Sequence, residues 1–245
     1  MKTNAIFITG TDTGVGKTVV TGLLARFLRE KGVKVVTQKW VQTGCGENQG
    51  DIRTHMRLMG EEPARFKKFH SDMVPYTLKF PSSPHLAAEM EGVKIDTSRI
   101  KKSFRCLTKE FDCVLVEGTG GFMTPLNERT VMADIVEELS PKILVVAQNR
   151  LGAINQAVMT VEALRKRDLG VIGILFNRLS KGGDERVLKD NTWIVKKITG
   201  EEVLGELSHS KDKDVLYRMF CPIGEKIFEK HMDVKPRKRR TKGKK

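Results

Sequence analysis

The strongest constraint on the fold of this chain is a glycine-rich segment near the N-terminus, residues 10–18, which reads GTDTGVGKT. It follows a short apolar run, residues 5–9, and precedes a pattern in which the apolar residues between positions 20 and 28 share one helix face. A strand, a glycine-rich turn and a helix in this order direct backbone N–H groups and the positive helix N-terminus at a bound phosphate. The segment therefore predicts a phosphate-binding loop, in which Lys17 reaches the outer phosphates and the Thr18 hydroxyl binds Mg²⁺.

Short β-branched runs alternate with helical patterns along the rest of the chain. The runs that we expect to be strands cover residues 33–38, 113–117, 143–148 and 171–177. Because they are almost continuously apolar, they indicate strands buried on both faces, which is typical of a parallel sheet between two layers of helices. We expect an α/β fold with a doubly wound, mostly parallel sheet, formed as a single domain by residues 1–232, with ligands at the carboxyl ends of the strands.

A basic tail follows this domain. The chain of 245 residues has a net charge of +14, and residues 235–245 contribute eight Lys or Arg residues and no acid. They also contain no large apolar residue, so burial cannot offset the entropy of ordering, and we expect residues 233–245 to be disordered. Such a tail either binds nucleic acid or another anionic surface, or only raises solubility; charge alone favours solubility and leaves nucleic-acid binding open.

The remaining composition indicates a reduced, cytoplasmic protein. Four cysteines, Cys45, Cys106, Cys113 and Cys221, form no C-x-x-C pair and are too sparse for a disulfide framework. The apolar runs are far shorter than the roughly 18 residues that cross a bilayer, and the N-terminus lacks the apolar core of a signal peptide. We therefore expect reduced thiols and no membrane partner.

An acidic residue, Glu117, ends the predicted strand 113–117, and a second glycine-rich segment, Gly118-Thr119-Gly120-Gly121, follows it. A phosphate-binding loop needs an acid to hold or orient its metal, and the end of a strand places Glu117 for that role. The N–H groups of the glycine run can face an anionic or carbonyl oxygen of a substrate. Alternatively, the run is a tight turn that needs glycine for its positive φ.

Three further residues have both a functional and a purely structural interpretation. Lys39 follows the second predicted strand, where it either meets phosphate or carboxylate charge or is solvated. Asp51 either contributes to the site or is the N-cap of a helix. His85 follows Ser83-Pro84, which resembles an N-cap and a first helical proline, so we expect a helix start there rather than an acid-base group. The other histidines have no metal-ligand spacing.

Taken together, these motifs resemble the dethiobiotin synthetases. The segments that carry the resemblance are residues 10–18, 39–44, 83–85, 117–121 with 124–126, and 151–155, and it extends from about residue 3 to about residue 210. It implies a ligase of biotin biosynthesis that uses ATP, Mg²⁺ and CO₂ to close a cyclic urea on 7,8-diaminononanoate. A carbamate forms on one amine, the γ-phosphate phosphorylates it, and the second amine displaces phosphate. The resemblance also implies a homodimer.

The same resemblance assigns roles to individual residues. It implies catalytic roles for Lys17 and Lys39. The implied metal-binding residues are Thr18, Asp51 and Glu117, and the implied substrate-binding residues are Thr43, Gly121 and Asn155. The implied nucleotide-binding residues are Gly14, Val15, Gly16, Lys17, Thr18, Val19, Asp51, Glu117, Gly118, Thr119, Gly120, Asn177, Arg178, Leu207 and Ser208, with residues 205–208 as a loop beside the base.

Three positions depart from the family pattern. Trp40 stands where the motif after the lysine usually has proline, which leaves the shape of the substrate pocket open. Gly14 replaces a glutamate of some members, and Ser208 replaces a proline. Ser208 and the neighbouring Arg178 leave the base preference open, with ATP favoured.

The main alternative function is that of a partitioning or cell-division ATPase, which would use the basic tail on DNA or membrane. Such proteins carry a second lysine near the start of the phosphate loop, where this chain has Thr11 and Asp12, and they do not need the motif at residues 39–44. An amide synthase acting on a corrinoid is a second alternative, but it resembles a longer chain with a glutaminase domain.

Overall fold

The computed structural model of the chain describes residues 4–46 and 50–232. The expectation for the tail, residues 233–245, therefore lies outside the described residues. None of the helices in the described ranges combines the length and the apolar character that a membrane span requires.

Strands and helices alternate along the described residues. The strands are β1 (Ala5–Gly10), β2 (Val35–Lys39), β3 (Val41–Gln42), β4 (Tyr76–Thr77), β5 (Cys113–Gly121), β6 (Lys142–Gln148), β7 (Val171–Asn177) and β8 (Val203–Leu207). The α-helices are α1 (Lys17–Glu30), α2 (Asp51–Met59), α3 (His70–Met73), α4 (Pro84–Met90), α5 (Thr97–Glu110), α6 (Met132–Leu139), α7 (Ala153–Arg165), α8 (Glu185–Thr199) and α9 (Lys213–His231), and a 3₁₀-helix spans Pro63–Phe69.

Six of these strands form one sheet in the order β2-β5-β1-β6-β7-β8, and every neighbouring pair is parallel. The apolar residues of β1 and β6 are buried on both faces, as their continuous apolar runs predict. The predicted α/β fold with a doubly wound parallel sheet is confirmed. A second, two-stranded parallel sheet pairs β3 with β4 beside it.

Two predicted loops are parts of strands instead. The glycine run after Glu117 continues β5 to Gly121, because Gly121 still pairs with Gly10 of β1. Residues 205–207, expected in a loop beside the base, form the end of β8, since Leu207 pairs with Asn177 of β7. Apolar patterning did not indicate either segment as a strand, because each contains glycine or a charged residue.

The sheet register sets the positions of the charged residues that the sequence singles out. Lys39, the last residue of β2, pairs directly with Glu117 of β5, and Ile8 of β1 pairs with Glu117 from the other side. Side chains at the carboxyl ends of adjacent parallel strands therefore meet at one edge of the sheet. The phosphate-binding loop begins at the same edge.

Trp40 belongs to the hydrophobic core beside this edge. Trp40 is 2% exposed, its ring centroid lies 5.2 Å from that of Phe7, and its Nε1 donates to Gln38 Oε1 at 3.0 Å. The Trp40 side chain is thus a core residue, and its effect on the substrate pocket stays a prediction.

Helix α4 begins where the sequence predicts. Pro84 is its first residue and Ser83 its N-cap. The Ser83 hydroxyl does not cap the helix, however, but lies 3.1 Å from Nδ1 of His85. His85 therefore belongs to the first turn of a helix, as expected.

Candidate active site

The predicted phosphate-binding loop connects β1 to α1. Gly14 and Gly16 have φ angles of +75° and +97°, and Gly16 is the N-cap of α1. Lys17 folds back over the loop, where its Nζ donates to the carbonyl oxygen of Asp12 at 2.9 Å. Burial and, secondly, the positive charge of Lys39 lower the pKa of Lys17 to about 8. An anion bound in the loop would stabilise the ammonium form of this lysine.

A charge cluster, defined here as Thr18, Lys39, Asp51 and Glu117, lies beside the loop. Lys39 Nζ is 2.7 Å from Glu117 Oε1 and 2.8 Å from Asp51 Oδ2, and it donates to the Gly118 carbonyl oxygen at 3.0 Å. Burial opposes the charged form of Lys39, but the two carboxylates outweigh it and raise the pKa. Lys39 is 4% exposed, so the alternative of a solvated lysine is wrong.

Thr18 brings a hydroxyl oxygen to the two carboxylates of the cluster. Its Oγ1 lies 3.0 Å from Asp51 Oδ1 and 2.9 Å from Glu117 Oε1. A hydroxyl has one proton and can donate to only one of them. Three hard oxygen donors therefore converge on one point, which is the donor set that Mg²⁺ prefers when substrate phosphates and water complete its shell. The described residues contain no group of three His, Cys, Asp or Glu side chains able to hold a metal by themselves.

Asp51 reaches the cluster from the first turn of α2. Gly50 is the N-cap of that helix, so the interpretation of Asp51 as an N-cap is wrong. The backbone N–H of Asp51 donates to Gln42 Oε1 at 2.8 Å, which ties the start of α2 to β3. Its carboxylate is thereby free to face Lys39 and Thr18.

Glu117 is fully enclosed at the end of the β5 segment that pairs with β2. Its Oε1 faces Lys39 and Thr18, and its Oε2 lies 2.7 Å from Nε2 of His55, which is 0% exposed. Burial alone would raise the pKa of Glu117, but the charge of Lys39 and the hydrogen bond from His55 lower it to about 2. Glu117 is therefore an ionised carboxylate with both oxygens engaged.

The glycine run of β5 forms the wall next to the cluster. The Thr119 hydroxyl donates to the Val41 carbonyl oxygen, and Thr124 Oγ1 donates to that of Gly121 at 2.8 Å. Gly120 has a φ of +67°, and a Cβ there would lie 2.5 Å from Thr124 Oγ1. Gly120 thus has the positive φ that the turn interpretation required, but it lies in strand β5 and not in a tight turn.

Residues assigned to the nucleotide base meet at the ends of β7 and β8. Asn177 Nδ2 donates to the Val15 carbonyl oxygen at 2.9 Å, so this side chain supports the phosphate-binding loop from behind. The Arg178 N–H donates to the Leu207 carbonyl oxygen at 2.9 Å, while its guanidinium pairs with Glu185 and Glu206. These contacts join the two strand ends to the loop.

Curated relatives identify the family to which these motifs belong. A family model described as an AAA domain matches residues 4–214. The ATP-dependent dethiobiotin synthetase of Chlorobaculum tepidum is 40% identical, over 80% of this chain and 81% of that protein. The corresponding enzyme of Haemophilus influenzae is 38% identical, over 70% of this chain and 90% of its own length. The chain belongs to the dethiobiotin synthetase family.

Solved structures similar to this dethiobiotin synthetase family member include partitioning and cell-division proteins. A putative plasmid partition protein from Borrelia burgdorferi bound to AMPPNP has a TM-score of 0.63 and 15% identity, covering 94% of this chain and all of that chain. The MinC:MinD cell division protein complex of Aquifex aeolicus has a TM-score of 0.59 at 15% identity, covering 95% of this chain and 98% of that chain. At this identity the likeness shows the shared fold alone.

Several other residues that the dethiobiotin synthetase pattern predicts are not members of the charge cluster. Thr43 follows β3, Val19 lies in α1, and Ser208 follows β8, all half-buried. Asn155 is exposed on α7, in a groove of about 750 Å³ between α7 and α8. Their roles in substrate or nucleotide binding stay predictions.

The structure also brings residues to the site that sequence reasoning missed. Gln42 holds Asp51, His55 contacts Glu117, and Gln156 of α7 donates to the Asp12 carboxylate at 3.2 Å. His55 stands four residues after Asp51, so helical spacing would have placed both on one face of α2. No comparable signal in the sequence marks Gln42 or Gln156.

Proposed function

We propose that the chain closes a cyclic urea on 7,8-diaminononanoate with CO₂ at the expense of ATP, giving dethiobiotin, ADP and phosphate. The observation that carries this proposal is Lys39, buried between Asp51 and Glu117 beside a phosphate-binding loop that already contains Lys17. Family membership, with relatives named as ATP-dependent dethiobiotin synthetases, supports the reaction.

The reaction brings anions together, and this arrangement of lysines offsets their repulsion. One substrate amine adds to CO₂ and loses a proton, which forms a carbamate. A carbamate oxygen attacks the γ-phosphorus and ADP leaves; the second amine then attacks the carbamoyl carbon, and phosphate leaves as the ring closes. Lys17 and Lys39 stabilise the charge on the transferred phosphoryl group, while the N–H groups of residues 118–121 face the carbamate.

The donor set of Thr18, Asp51 and Glu117 fits Mg²⁺. When bound, the ion would neutralise phosphate charge and act as a Lewis acid towards the phosphoryl oxygens. Lys39 holds both carboxylates in place, because it contacts each of them within 2.8 Å. Adenine would lie at the ends of β7 and β8, next to Asn177.

We further propose a homodimer formed through α7 and α8. Large apolar side chains are exposed on this face, among them Leu151 at 83%, Met159 at 64% and Ile198 at 55%. Exposed apolar area of this kind is typical of a surface that another protein covers. A second copy would bring its Asn155 to the substrate carboxylate.

The proposal is tested by the substrate dependence of phosphate release. Purified protein should release phosphate from ATP only when diaminononanoate and bicarbonate are both present, with dethiobiotin identified by mass spectrometry. Lys39→Ala should abolish this release and retain bound ATP, because Lys17 and the loop remain. The matched control is Lys230→Ala, which removes an exposed lysine paired with Glu202 and should be fully active.

A different substrate dependence would point to the alternative of a partitioning or cell-division ATPase. Phosphate release that ignores the diamine but rises with DNA or anionic lipid vesicles would contradict the synthetase proposal. The basic tail, residues 233–245, would then be the first segment to delete.

A further inference from the structure

A buried histidine, His55, contacts the carboxylate of the charge cluster from behind. It lies on α2, one helical turn after Asp51, and is 0% exposed. Its Nε2 is 2.7 Å from Glu117 Oε2, whereas Glu117 Oε1 faces Lys39 at 2.7 Å and Thr18 at 2.9 Å. The two oxygens of Glu117 thus face different partners, and only Oε1 is directed at the oxygen donors of the cluster.

The contact specifies the tautomer of the imidazole. An ionised carboxylate only accepts hydrogen bonds, so Nε2 must carry the proton that it donates to Glu117. The other ring nitrogen, Nδ1, is buried and has no hydrogen-bond partner among the described residues. With the proton on Nε2, Nδ1 keeps only an unused lone pair, and no buried N–H is left unpaired.

We propose that His55 is a positioning residue that holds Glu117 so that a single oxygen, Oε1, faces the metal site. The inference rests on the Mg²⁺ site proposed above. Mg²⁺ demands a compact octahedral shell and takes few protein oxygens, whereas Ca²⁺ accepts a carboxylate through both oxygens. By engaging Oε2, His55 keeps Glu117 from offering both, which favours Mg²⁺ over Ca²⁺.

A purely structural role for His55 makes a different prediction. The side chain fills space between α2 and β5, so any apolar residue of similar size would then serve as well. A positioning role instead requires a hydrogen-bond donor aimed at Oε2. Glutamine can supply such a donor and leucine cannot.

The test measures binding of Mn²⁺ to the full-length protein in the presence of ADP, by electron paramagnetic resonance. Loss of the partner of a metal-binding side chain typically costs about 10–100-fold in metal affinity. We expect that loss for His55→Leu, and an affinity within about 3-fold of wild type for His55→Gln. Met56→Leu, at the adjacent buried position of α2, is the matched control and should bind Mn²⁺ normally. Wild-type affinity in His55→Leu would overturn the inference.

Competition with Ca²⁺ separates positioning from a general loss of structure. Ca²⁺ should displace bound Mn²⁺ more effectively from His55→Leu than from wild type, because Glu117 can then present both oxygens to Ca²⁺. If the affinities for Ca²⁺ and Mn²⁺ fall by the same factor, so that their ratio is unchanged, the inference is contradicted.

One further measurement decides the case even if His55→Leu does not fold. ¹⁵N NMR of the wild-type imidazole should show the Nε2–H tautomer, and an Nδ1–H tautomer would contradict the inference. The variants Asp51→Asn and Glu117→Gln test the metal site itself. If both bind Mn²⁺ and ADP like wild type, the proposed metal site fails; if they lose Mn²⁺ while His55→Leu keeps it, only the role of His55 fails.

Discussion

At the scale of single residues, Lys39 is a buried cation that pairs with two carboxylates. Its ammonium contacts Asp51 and Glu117 within 2.8 Å, and desolvation opposes the charges of the buried Lys39 and Glu117. Well-packed apolar residues could fill such a space at no loss of stability. In the function proposed above, these charges serve phosphoryl transfer, which needs fixed positive charge and metal-binding carboxylates at the same point.

Removing Lys39 should therefore destabilise the fold. Lys39→Ala leaves Glu117 buried without its cation, and breaking a buried pair in this way costs about 3–5 kcal/mol. We expect this loss in the free energy of urea-induced unfolding. The double variant Lys39→Ala/Glu117→Gln should recover part of it, since the uncompensated charge is gone. Lys230 forms an exposed pair with Glu202, so Lys230→Ala should lower the free energy of unfolding by no more than about 1 kcal/mol. Equal losses for Lys39→Ala and Lys230→Ala would contradict the prediction for Lys39.

Lys17 makes a prediction about pH, because its pKa is lowered to about 8, chiefly by burial. Bound phosphate stabilises the ammonium form and raises this pKa, so ATP binding above about pH 8 takes up a proton. Calorimetric titration with ATP in buffers of different ionisation enthalpy should show this uptake near pH 9 and none near pH 6.5. Lys17→Arg should abolish the uptake, and an uptake that persists in that variant would assign it to another group.

The same shift affects stability in a defined direction. Folding lowers the pKa of Lys17 from 10.5 to about 8, so between these values the unfolded chain binds more protons than the folded one. Without bound nucleotide, Lys17 thus lowers the free energy of unfolding below about pH 8. This destabilisation disappears as the pH rises towards 10.5.

At the scale of elements, the loop between β1 and α1 depends on a close approach of β7. Gly16 has a φ of +97°, and a Cβ on it would lie 2.0 Å from Nδ2 of Asn177. That nitrogen in turn holds the Val15 carbonyl oxygen. The loop conformation is therefore supported by a strand two places away in the sheet, and not by the glycines alone.

Gly16→Ala should consequently lower the free energy of unfolding more than Gly14→Ala does. Both positions have a positive φ, which costs an alanine roughly 1–2 kcal/mol, but a Cβ on Gly14 meets nothing within 4 Å. Urea unfolding without nucleotide should show the additional loss in Gly16→Ala, caused by displacement of Asn177. Equal losses in the two variants would mean that the contact with Asn177 has no energetic weight.

Prediction from the sequence succeeded best for elements with uniform patterns. The predicted strand 171–177 coincides with β7, and 143–148 lies within β6. The glycine run of β5 was expected to be a loop, because glycine is rare in strands. The segment 205–207 of β8 was expected in a loop because the family resemblance implies one there. They are strands because neighbouring strands pair with them, and this pairing is not visible in local composition.

At the scale of the whole molecule, the sheet order determines which distant residues meet. Placing β5 between β2 and β1 brings Lys39 and Glu117 together although 78 positions separate them, and Thr18 meets Glu117 across 99. Helix α7 packs on β6 and against α8. We assign the exposed apolar residues of this face to a dimer.

Disrupting that face should separate the subunits. We expect wild type to sediment as a dimer and Leu151→Glu as a monomer, because a charge would replace an apolar side chain at the centre of the contact. The monomer should bind ATP normally but lose diamine-dependent turnover, since the Asn155 of a second copy is missing. Met90→Glu changes a side chain of α4 that is 61% exposed and should remain dimeric and active. A wild-type monomer with full turnover would contradict the dimer.

The amino-acid sequence by itself determined the phosphate-binding loop and the parallel α/β architecture, and it indicated Lys17, Lys39 and Glu117 as candidate site residues. These depend on neighbours within a few positions, through turn chemistry and the period of apolar residues. Only the tertiary structure decided that Lys39 is buried between two carboxylates, that Trp40 is a core residue and that His55 holds Glu117. Each of these contacts depends on strand register and helix packing between segments far apart in the chain, and no local pattern encodes which distant segment a side chain will meet.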